Sequence, residues 1–238
     1  YLWACYLWAY DKTGYPLFRD RAKTAITMTM QNYPGNWKWA NGIQQERARM
    51  LLALAWLIRV EDTAEHRAWL RKVTEDLLLY QDASGAIAER LGALNMGATR
   101  PPASNEEYGL YEAPLLQGNG DPVSDMLYAC NFALLGLHEA AAATGDLYYS
   151  QAADRLAAFL CRAQVRSAEH PELDGAWFRA FDFGLWGYWA SNADAGWGAW
   201  CVETGWSQSW ITSVLALRKV PTSLWDLTAQ SKVNRFMD

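Results

Sequence analysis

A pattern of apolar residues that recurs four times along the chain constrains the fold more than any other feature. Each copy predicts an inner helix that is apolar on most sides, then a short turn, then an outer helix with one apolar face. The inner helices are predicted at residues 1–10, 45–60, 124–143 and 204–217, and the outer helices at 16–31, 65–80, 149–164 and 223–234. The sequence therefore predicts an all-α fold, with residues 1–238 in a single domain.

Helices that are apolar on most sides need neighbours on both flanks, which favours a ring of helical hairpins, an (α/α) toroid. An open solenoid of helical repeats is the alternative. Closed rings of this kind commonly hold six hairpins, and this chain begins inside an apolar helical run without an initiator Met. We therefore expect the four visible hairpins to be the C-terminal part of a six-hairpin barrel that lacks its N-terminal hairpins.

Three long connections between outer and inner helices, 33–44, 82–123 and 165–202, indicate where a site should lie. In a ring of hairpins these connections share one rim with the N-termini of the inner helices. Long loops in compact domains are often functional, and helix N-termini attract anions. Within the last connection, residues 176–183 and 185–190, divided at Gly184, predict a small β-hairpin.

Half of the fourteen tryptophans fall between Trp177 and Trp210, mixed with glycine, asparagine and carboxylates. This mixture suits a concave surface that binds sugar rings, although a tryptophan-rich packing plug is the alternative. The predicted substrate-binding residues are Trp37, Trp39, Asn41, Tyr108, Tyr128, Trp177, Arg179, Trp186, Trp197, Trp200 and Trp206.

Four carboxylates are candidates for catalysis. Glu46, Asp125 and Glu203 lie at the starts of successive inner helices, and Asp194 lies within the tryptophan-rich segment. Cleavage of a glycosidic bond needs one protonated and one ionised carboxyl group. An apolar wall raises the pKa of one such group while polar neighbours keep the other ionised. The sequence does not give their separation, so retaining and inverting mechanisms both stay open.

Each of these polar residues also has a structural interpretation. Asp125 could be a first-turn residue favoured by the helix dipole, or Ser124 could cap that helix. Glu46 could pair with Arg49 along one helix face. Arg179 could bind the carboxylate of an acidic sugar, or it could be an exposed arginine resting on an aromatic ring.

Several classes of function do not fit the composition. The net charge of −5 is spread evenly, so there is no basic patch for nucleic acid. The longest apolar run, residues 50–58, is too short to span a bilayer, so we expect no membrane partner. The three histidines and four cysteines show no metal-ligand spacing, and we expect no metal and no cofactor. Acidic motifs of isoprenoid cyclases are missing, and oligomerisation is left open.

Two segments carry a resemblance to a known group. They are Gly35-Asn36-Trp37-Lys38-Trp39-Ala40-Asn41-Gly42 and the run 192–206, which reads Asn-Ala-Asp-Ala-Gly-Trp-Gly-Ala-Trp-Cys-Val-Glu-Thr-Gly-Trp. With the hairpin pattern, they resemble the six-hairpin glycosidase-like toroids, which include glycoside hydrolases and polysaccharide lyases. Within that group the chain is most similar to the toroid β-glucuronidases of glycoside hydrolase family 154.

The resemblance implies hydrolysis of a terminal uronic acid from an oligosaccharide or polysaccharide, without a metal. By analogy it favours a secreted or periplasmic location over a cytoplasmic one. A polysaccharide lyase on the same scaffold is the nearest alternative, with Tyr108, Tyr111 or Tyr128 available as the base. A non-catalytic glycan-binding domain is the other.

Overall fold

Helices dominate residues 1–37, 42–90, 120–189 and 207–233, which are the residues that the computed structural model describes. The helices are α1 (Leu2–Thr13), α2 (Pro16–Asn32), α3 (Ile43–Val60), α4 (Ala64–Leu78), α5 (Asn131–Thr144), α6 (Leu147–Ala163), α7 (Ser207–Lys219) and α8 (Leu224–Leu227). A π-helical segment, Met126–Cys130, leads directly into α5. The predicted helical class is confirmed. In the part of the chain described, no helix has both the length and the apolar character needed to cross a membrane.

The helices pair in the order that the sequence predicts. α1 packs against α2, α3 against α4 and α5 against α6. The inner helices also pack in sequence, α1 against α3, α3 against α5 and α5 against α7. The α3–α5 contact is the most extensive. At Gly136 the two helices come close together: a Cβ atom placed there would lie 2.4 Å from the Cβ atom of Leu51.

Burial separates the two central inner helices from the two flanking ones. Twelve of the 18 residues of α3 and nine of the 14 residues of α5 are buried. In α1 only Ala4 and Leu7 are buried, and in α7 four of 13 residues are. The expectation of burial on most sides is thus confirmed for α3 and α5 and is wrong for α1 and α7. Each flanking helix has its main inner-helix contact on one side: α1 with α3, and α7 with α5.

Local sequence signals account for where the helices start and stop. Gly14 and Gly145 end α1 and α5 in the left-handed conformation, with φ of 68° and 70°, which costs glycine little. Thr63 and Asp146 cap α4 and α6 by accepting backbone N–H groups of the first turn. Pro16 opens α2, where its missing N–H group is not needed.

A three-stranded antiparallel sheet lies beside the helices. Its strands are β1 (Val123–Asp125), β2 (Ala180–Asp182) and β3 (Gly187–Trp189), in the order β1-β2-β3. The predicted hairpin is confirmed as the β2–β3 pair, with shorter strands than expected. β1 was not predicted: residue 123 was expected in the preceding connection, and residues 124–125 were expected to begin a helix. This strand fixes the position at which the following helix begins.

The last outer helix differs from its prediction. A helix was expected over 223–234, but α8 is one turn long. The indole N–H of Trp8 donates to the hydroxyl of Thr228 over 2.9 Å, and the ammonium of Lys12 donates to the carbonyl of Ala229 over 3.1 Å. These contacts from α1 bind polar groups of Thr228 and Ala229, directly after α8. The described residues 228–233 carry no continuous apolar face that would stabilise a longer helix.

Candidate functional site

The N-terminal ends of α3 and α5 bring together four residues that the sequence singled out: Glu46, Asp125, Tyr128 and Arg179. The guanidinium of Arg49 lies 5.4 Å from the centre of the Tyr128 ring, and that of Arg179 lies 5.8 Å from the same ring. We use the name rim cluster for these residues and the neighbours that contact them, namely Gln45, Glu46, Arg49, Glu89, Asp125, Tyr128 and Arg179.

Three hydrogen bonds hold Asp125 in the rim cluster. One carboxylate oxygen accepts the backbone N–H groups of Leu127 and Tyr128 over 2.8 and 3.0 Å. The other accepts the amide N–H of Gln45 over 3.3 Å. These three donors stabilise the ionised form of a carboxylate that is fully buried. Asp125 therefore caps the helical segment, and it is held in one orientation.

Glu89 reaches the rim cluster because residues 87–89 run alongside β1. The backbone N–H of Glu89 donates to the carbonyl of Val123 over 2.7 Å. The hydroxyl of Ser124 donates to the carbonyl of Ile87 over 2.9 Å, so Ser124 is not the helix cap. These bonds place the fully buried side chain of Glu89 beside Asp125.

The surroundings of Glu89 favour its protonated form. Burial, and then the negative charge of Asp125, raise the pKa of Glu89 to about 8. The N–H of Arg90, the amide of Gln45 and the charge of Arg179 act in the opposite direction. The rim cluster therefore contains two adjoining carboxyl groups whose environments favour opposite protonation states at neutral pH.

Glu46 lies at the solvent edge of the rim cluster. Its carboxylate pairs with the guanidinium of Arg49 over 3.1 Å, with the two side chains 21% and 27% exposed. Arg49 in turn lies 5.4 Å from the ring centres of both Tyr128 and Phe132. The predicted pairing of Glu46 with Arg49 is confirmed, and a role in catalysis stays a prediction.

Arg179 is held inside the rim cluster. It is only 9% exposed, so the interpretation as an exposed arginine resting on a ring is wrong in its exposure, although the ring contact with Tyr128 is present. Its carbonyl accepts the backbone N–H of Met126 over 2.7 Å, which ties β2 to the start of the π-helical segment. The guanidinium itself is placed by its burial and by the Tyr128 ring, a position in which it is suited to hold a carboxylate.

The predicted tryptophans within the described residues occupy different places. Trp177 is buried, and its indole N–H donates to the carbonyl of Leu160 over 2.7 Å, so the packing interpretation accounts for it. Trp186 is 46% exposed at the β2–β3 turn, where its ring contacts Phe159 of α6. Trp37 is half-buried with its ring against Tyr33.

The other predicted site residues fall on segments that are not described. Of the candidate catalytic acids these are Asp194 and Glu203. Of the candidate substrate-binding residues they are Trp39, Asn41, Tyr108, Trp197, Trp200 and Trp206. Their roles stay predictions.

An apolar groove begins next to the rim cluster. Its cavity of about 390 Å³ lies between α1 and α7 and is floored by α3 and α5. Aromatic rings crowd one part of it: Tyr1 lies 5.0 Å from Phe132 and 5.1 Å from Trp210, measured between ring centres. Phe132 connects the two regions, because it lines the groove and also faces Arg49.

Two members of the rim cluster were missed from the sequence. Gln45 is a buried polar residue on an apolar helix, and its position one turn before Arg49 could have revealed it. Glu89 follows the short apolar run 86–88, which is buried but too short to be recognised as an element. Burial of a glutamate at the end of such a run depends on β1, which was itself not predicted.

No metal site is evident in the described ranges, where no three His, Cys, Asp or Glu side chains are placed to share an ion. Comparison with protein-family models, with curated proteins and with solved structures finds no match to this chain. The interpretation of the site therefore depends on the chemistry and geometry of the rim cluster.

Proposed function

We propose that this chain is a glycan-cleaving domain that hydrolyses the bond to a uronic acid, with the rim cluster as its active centre. The observation that carries the proposal is that a buried carboxylate with three N–H donors, Asp125, lies in the same small region as the buried guanidinium of Arg179 and the solvent-edge pair of Glu46 and Arg49. Acid, base and anion-binding groups thus lie within one small region, as glycoside hydrolysis requires.

Hydrolysis breaks the bond between the anomeric carbon and the bridging oxygen. The bridging oxygen takes a proton, and the oxygen of a water molecule is joined to the anomeric carbon. Asp125, kept ionised by its three hydrogen-bond donors, is suited to be the base or nucleophile. Glu46, Asp194 and Glu203 are the acids predicted from the sequence to act with it.

Recognition of a uronate follows from the positive groups. Arg179 and Arg49 both lie against the Tyr128 ring, so this part of the rim cluster offers two guanidinium groups to the carboxylate of an acidic sugar. The apolar groove beside Phe132 offers aromatic surface for further sugar units.

We also propose that the helices form an (α/α) toroid of the six-hairpin type. The sequential packing of α1, α3, α5 and α7, with outer helices behind the first three, supports this arrangement. In such a ring the rim cluster lies at the mouth, because the starts of the inner helices meet there.

Mass spectrometry of products from uronate-capped and neutral oligosaccharides tests the function. Two fragments whose masses sum to substrate plus one water, from uronate-capped substrates alone, are the expected result. Asp125→Asn should abolish this release, whereas Glu139→Gln, a buried carboxylate at the other end of α5, should retain it. Absence of any cleavage, with retained glycan binding, would instead indicate a binding domain.

The lyase alternative has one observation in its favour. Two guanidinium groups flank the Tyr128 ring, and they would stabilise a tyrosinate base. A lyase removes the proton next to the uronate carboxyl group and expels the bridging oxygen, leaving a double bond. The fragments would then sum to the substrate mass alone, and Tyr128→Phe would abolish the reaction while Asp125→Asn would not.

A further inference from the structure

We infer that Glu89, which sequence patterns do not single out, is the proton donor of the rim cluster and acts as a pair with Asp125. This inference rests on the proposed hydrolysis and names the acid that it needs. It assigns the role to a residue outside the set Glu46, Asp194 and Glu203.

The first argument is that the two acids share one buried environment and one hydrogen-bond donor. Both side chains are fully buried, and the amide of Gln45 hydrogen-bonds both of them. Two carboxyl groups so close in a buried site are not both ionised, because the repulsion and the loss of hydration are too costly. One of them must hold a proton at neutral pH.

The second argument concerns which of the two holds it. Asp125 accepts two backbone N–H groups and one amide N–H, all of which favour its charge. Around Glu89, burial and the charge of Asp125 outweigh the N–H of Arg90 and the positive charge of Arg179. The buried thiol of Cys130 also lies near both carboxyl groups and adds no positive charge. The proton therefore belongs to Glu89.

The third argument is position. Arg179, whose charge acts on Glu89, and Tyr128, whose ring lies against Arg179, are 9% and 7% exposed. The Tyr128 ring also lies against the guanidinium of Arg49, whose side chain is 27% exposed. Arg179, Tyr128 and Arg49 therefore connect the buried acid to the solvent edge of the rim cluster.

In the reaction, Glu89 donates its proton to the bridging oxygen as the bond to the anomeric carbon breaks. Asp125 accepts a proton from the attacking water, or attacks the anomeric carbon itself. Water supplies the atoms that complete both products, and no other reactant is needed. After turnover, Glu89 regains a proton from solvent, and Asp125 releases to solvent the proton that it took from water.

Leaving-group dependence tests the role of Glu89. Glu89→Gln should lower the turnover of a uronate-capped oligosaccharide by about 100-fold or more. A 4-nitrophenyl glucuronide, whose leaving group needs no proton, should lose less than about 10-fold. Glu139→Gln should match the wild type on both substrates. An equal loss on both, or no loss on either, would overturn the assignment while leaving the proposed hydrolysis intact.

A second measurement needs neither turnover nor a variant that folds. In the wild-type protein with ¹³C-labelled glutamate, NMR should show one carboxyl group that stays protonated at pH 7, and it should lose its proton only near pH 8. If every glutamate titrates below pH 6, Glu89 is not the acid. A protonated Glu89 in a protein that cleaves no glycan would instead refute the proposed hydrolysis, and the donor role with it.

Discussion

The two ends of the α3–α5 pair both bury carboxyl groups, but they do so in different ways. At the C-terminal end, Glu139 is 1% exposed and is surrounded by N–H donors. It accepts the indole N–H of Trp56 over 2.8 Å and the backbone N–H groups of Leu224 and Trp225 over 2.6 and 3.4 Å. At the N-terminal end, Glu89 and Asp125 share a donor and repel each other.

The difference separates a carboxylate that stabilises the fold from a pair that the proposed chemistry would use. Both carboxylate oxygens of Glu139 accept hydrogen bonds, and these bonds connect α8 to α3 and α5. The interactions of Glu139 therefore stabilise the fold. Glu89 and Asp125 are held by elements that come from distant parts of the sequence, and their interaction keeps a proton in a buried site. Proteins accept such a cost chiefly where function uses it.

The largest effect is expected at the structural end. Glu139→Ala leaves the indole N–H of Trp56 and two backbone N–H groups of α8 buried without an acceptor. The free energy of unfolding should fall by on the order of 4 kcal/mol. Urea denaturation followed by far-UV circular dichroism measures this. Glu139→Gln, which keeps one acceptor, should lose about half as much, and an equal loss for both variants would contradict the hydrogen-bond account.

The next effect concerns pH at the other end. Because the pKa of Glu89 is raised from 4.5 to about 8 on folding, the native state binds its proton more tightly than the unfolded state. Stability should therefore decrease as pH rises from about 4.5 to about 8 and then level off. Glu89→Gln removes the titrating group, so at pH 9 it should be more stable than the wild type, by on the order of 3 kcal/mol.

Urea denaturation at pH 5, 7 and 9 gives this pH dependence. Asp125, Arg179 and Cys130 face Glu89 and also contribute, so the informative quantity is the difference between Glu89→Gln and the wild type at each pH. If the unfolding free energy of Glu89→Gln changed with pH as that of the wild type does, the raised pKa of Glu89 would be refuted.

The same contrast explains how far the sequence could be interpreted. Helices with a local signal were predicted to within a few residues: α3 and α6 have apolar periodicity, and Pro16, Gly14 and Gly145 mark ends. Glu46, Asp125 and Arg179 could be predicted to lie in one region because helix starts and the aromatic hairpin are local features.

What the sequence could not supply depends on contacts between distant segments. Burial of Glu89 needs residues 87–89 to lie along β1, whose three residues carry no strand signal of their own. The one-turn length of α8 depends on Trp8 and Lys12, more than 200 residues earlier in the chain. Helices α1 and α7 are less buried than α3 and α5, although their apolar patterns are similar. The burial of a helix depends on which other elements pack against it, and the pattern of one helix does not contain that information.

A smaller effect tests the helix pair that joins the two ends. Gly136→Ala places a methyl group 2.4 Å from the Cβ atom of Leu51, so α3 and α5 must separate. The unfolding free energy should fall by about 1–3 kcal/mol, as in overpacked cores. The double variant with Leu51→Ala should lose less than the sum of the two single losses, because the smaller side chain makes room. Strict additivity in urea denaturation would show that the close approach is not limiting.

The smallest effect is expected at Glu46, the carboxylate of the rim cluster that stays near solvent. Its 3.1 Å ion pair with Arg49 joins two side chains that are 21% and 27% exposed, so water and salt screen much of the attraction. Glu46→Gln should change the unfolding free energy by less than about 0.5 kcal/mol, and by still less in 1 M salt. Urea denaturation at low and high salt measures both values. A fall in the unfolding free energy of more than about 1.5 kcal/mol would show that Glu46 is coupled to the buried acids. Glu46 would then belong with Glu89 and Asp125, and not with the solvent-exposed edge of the rim cluster.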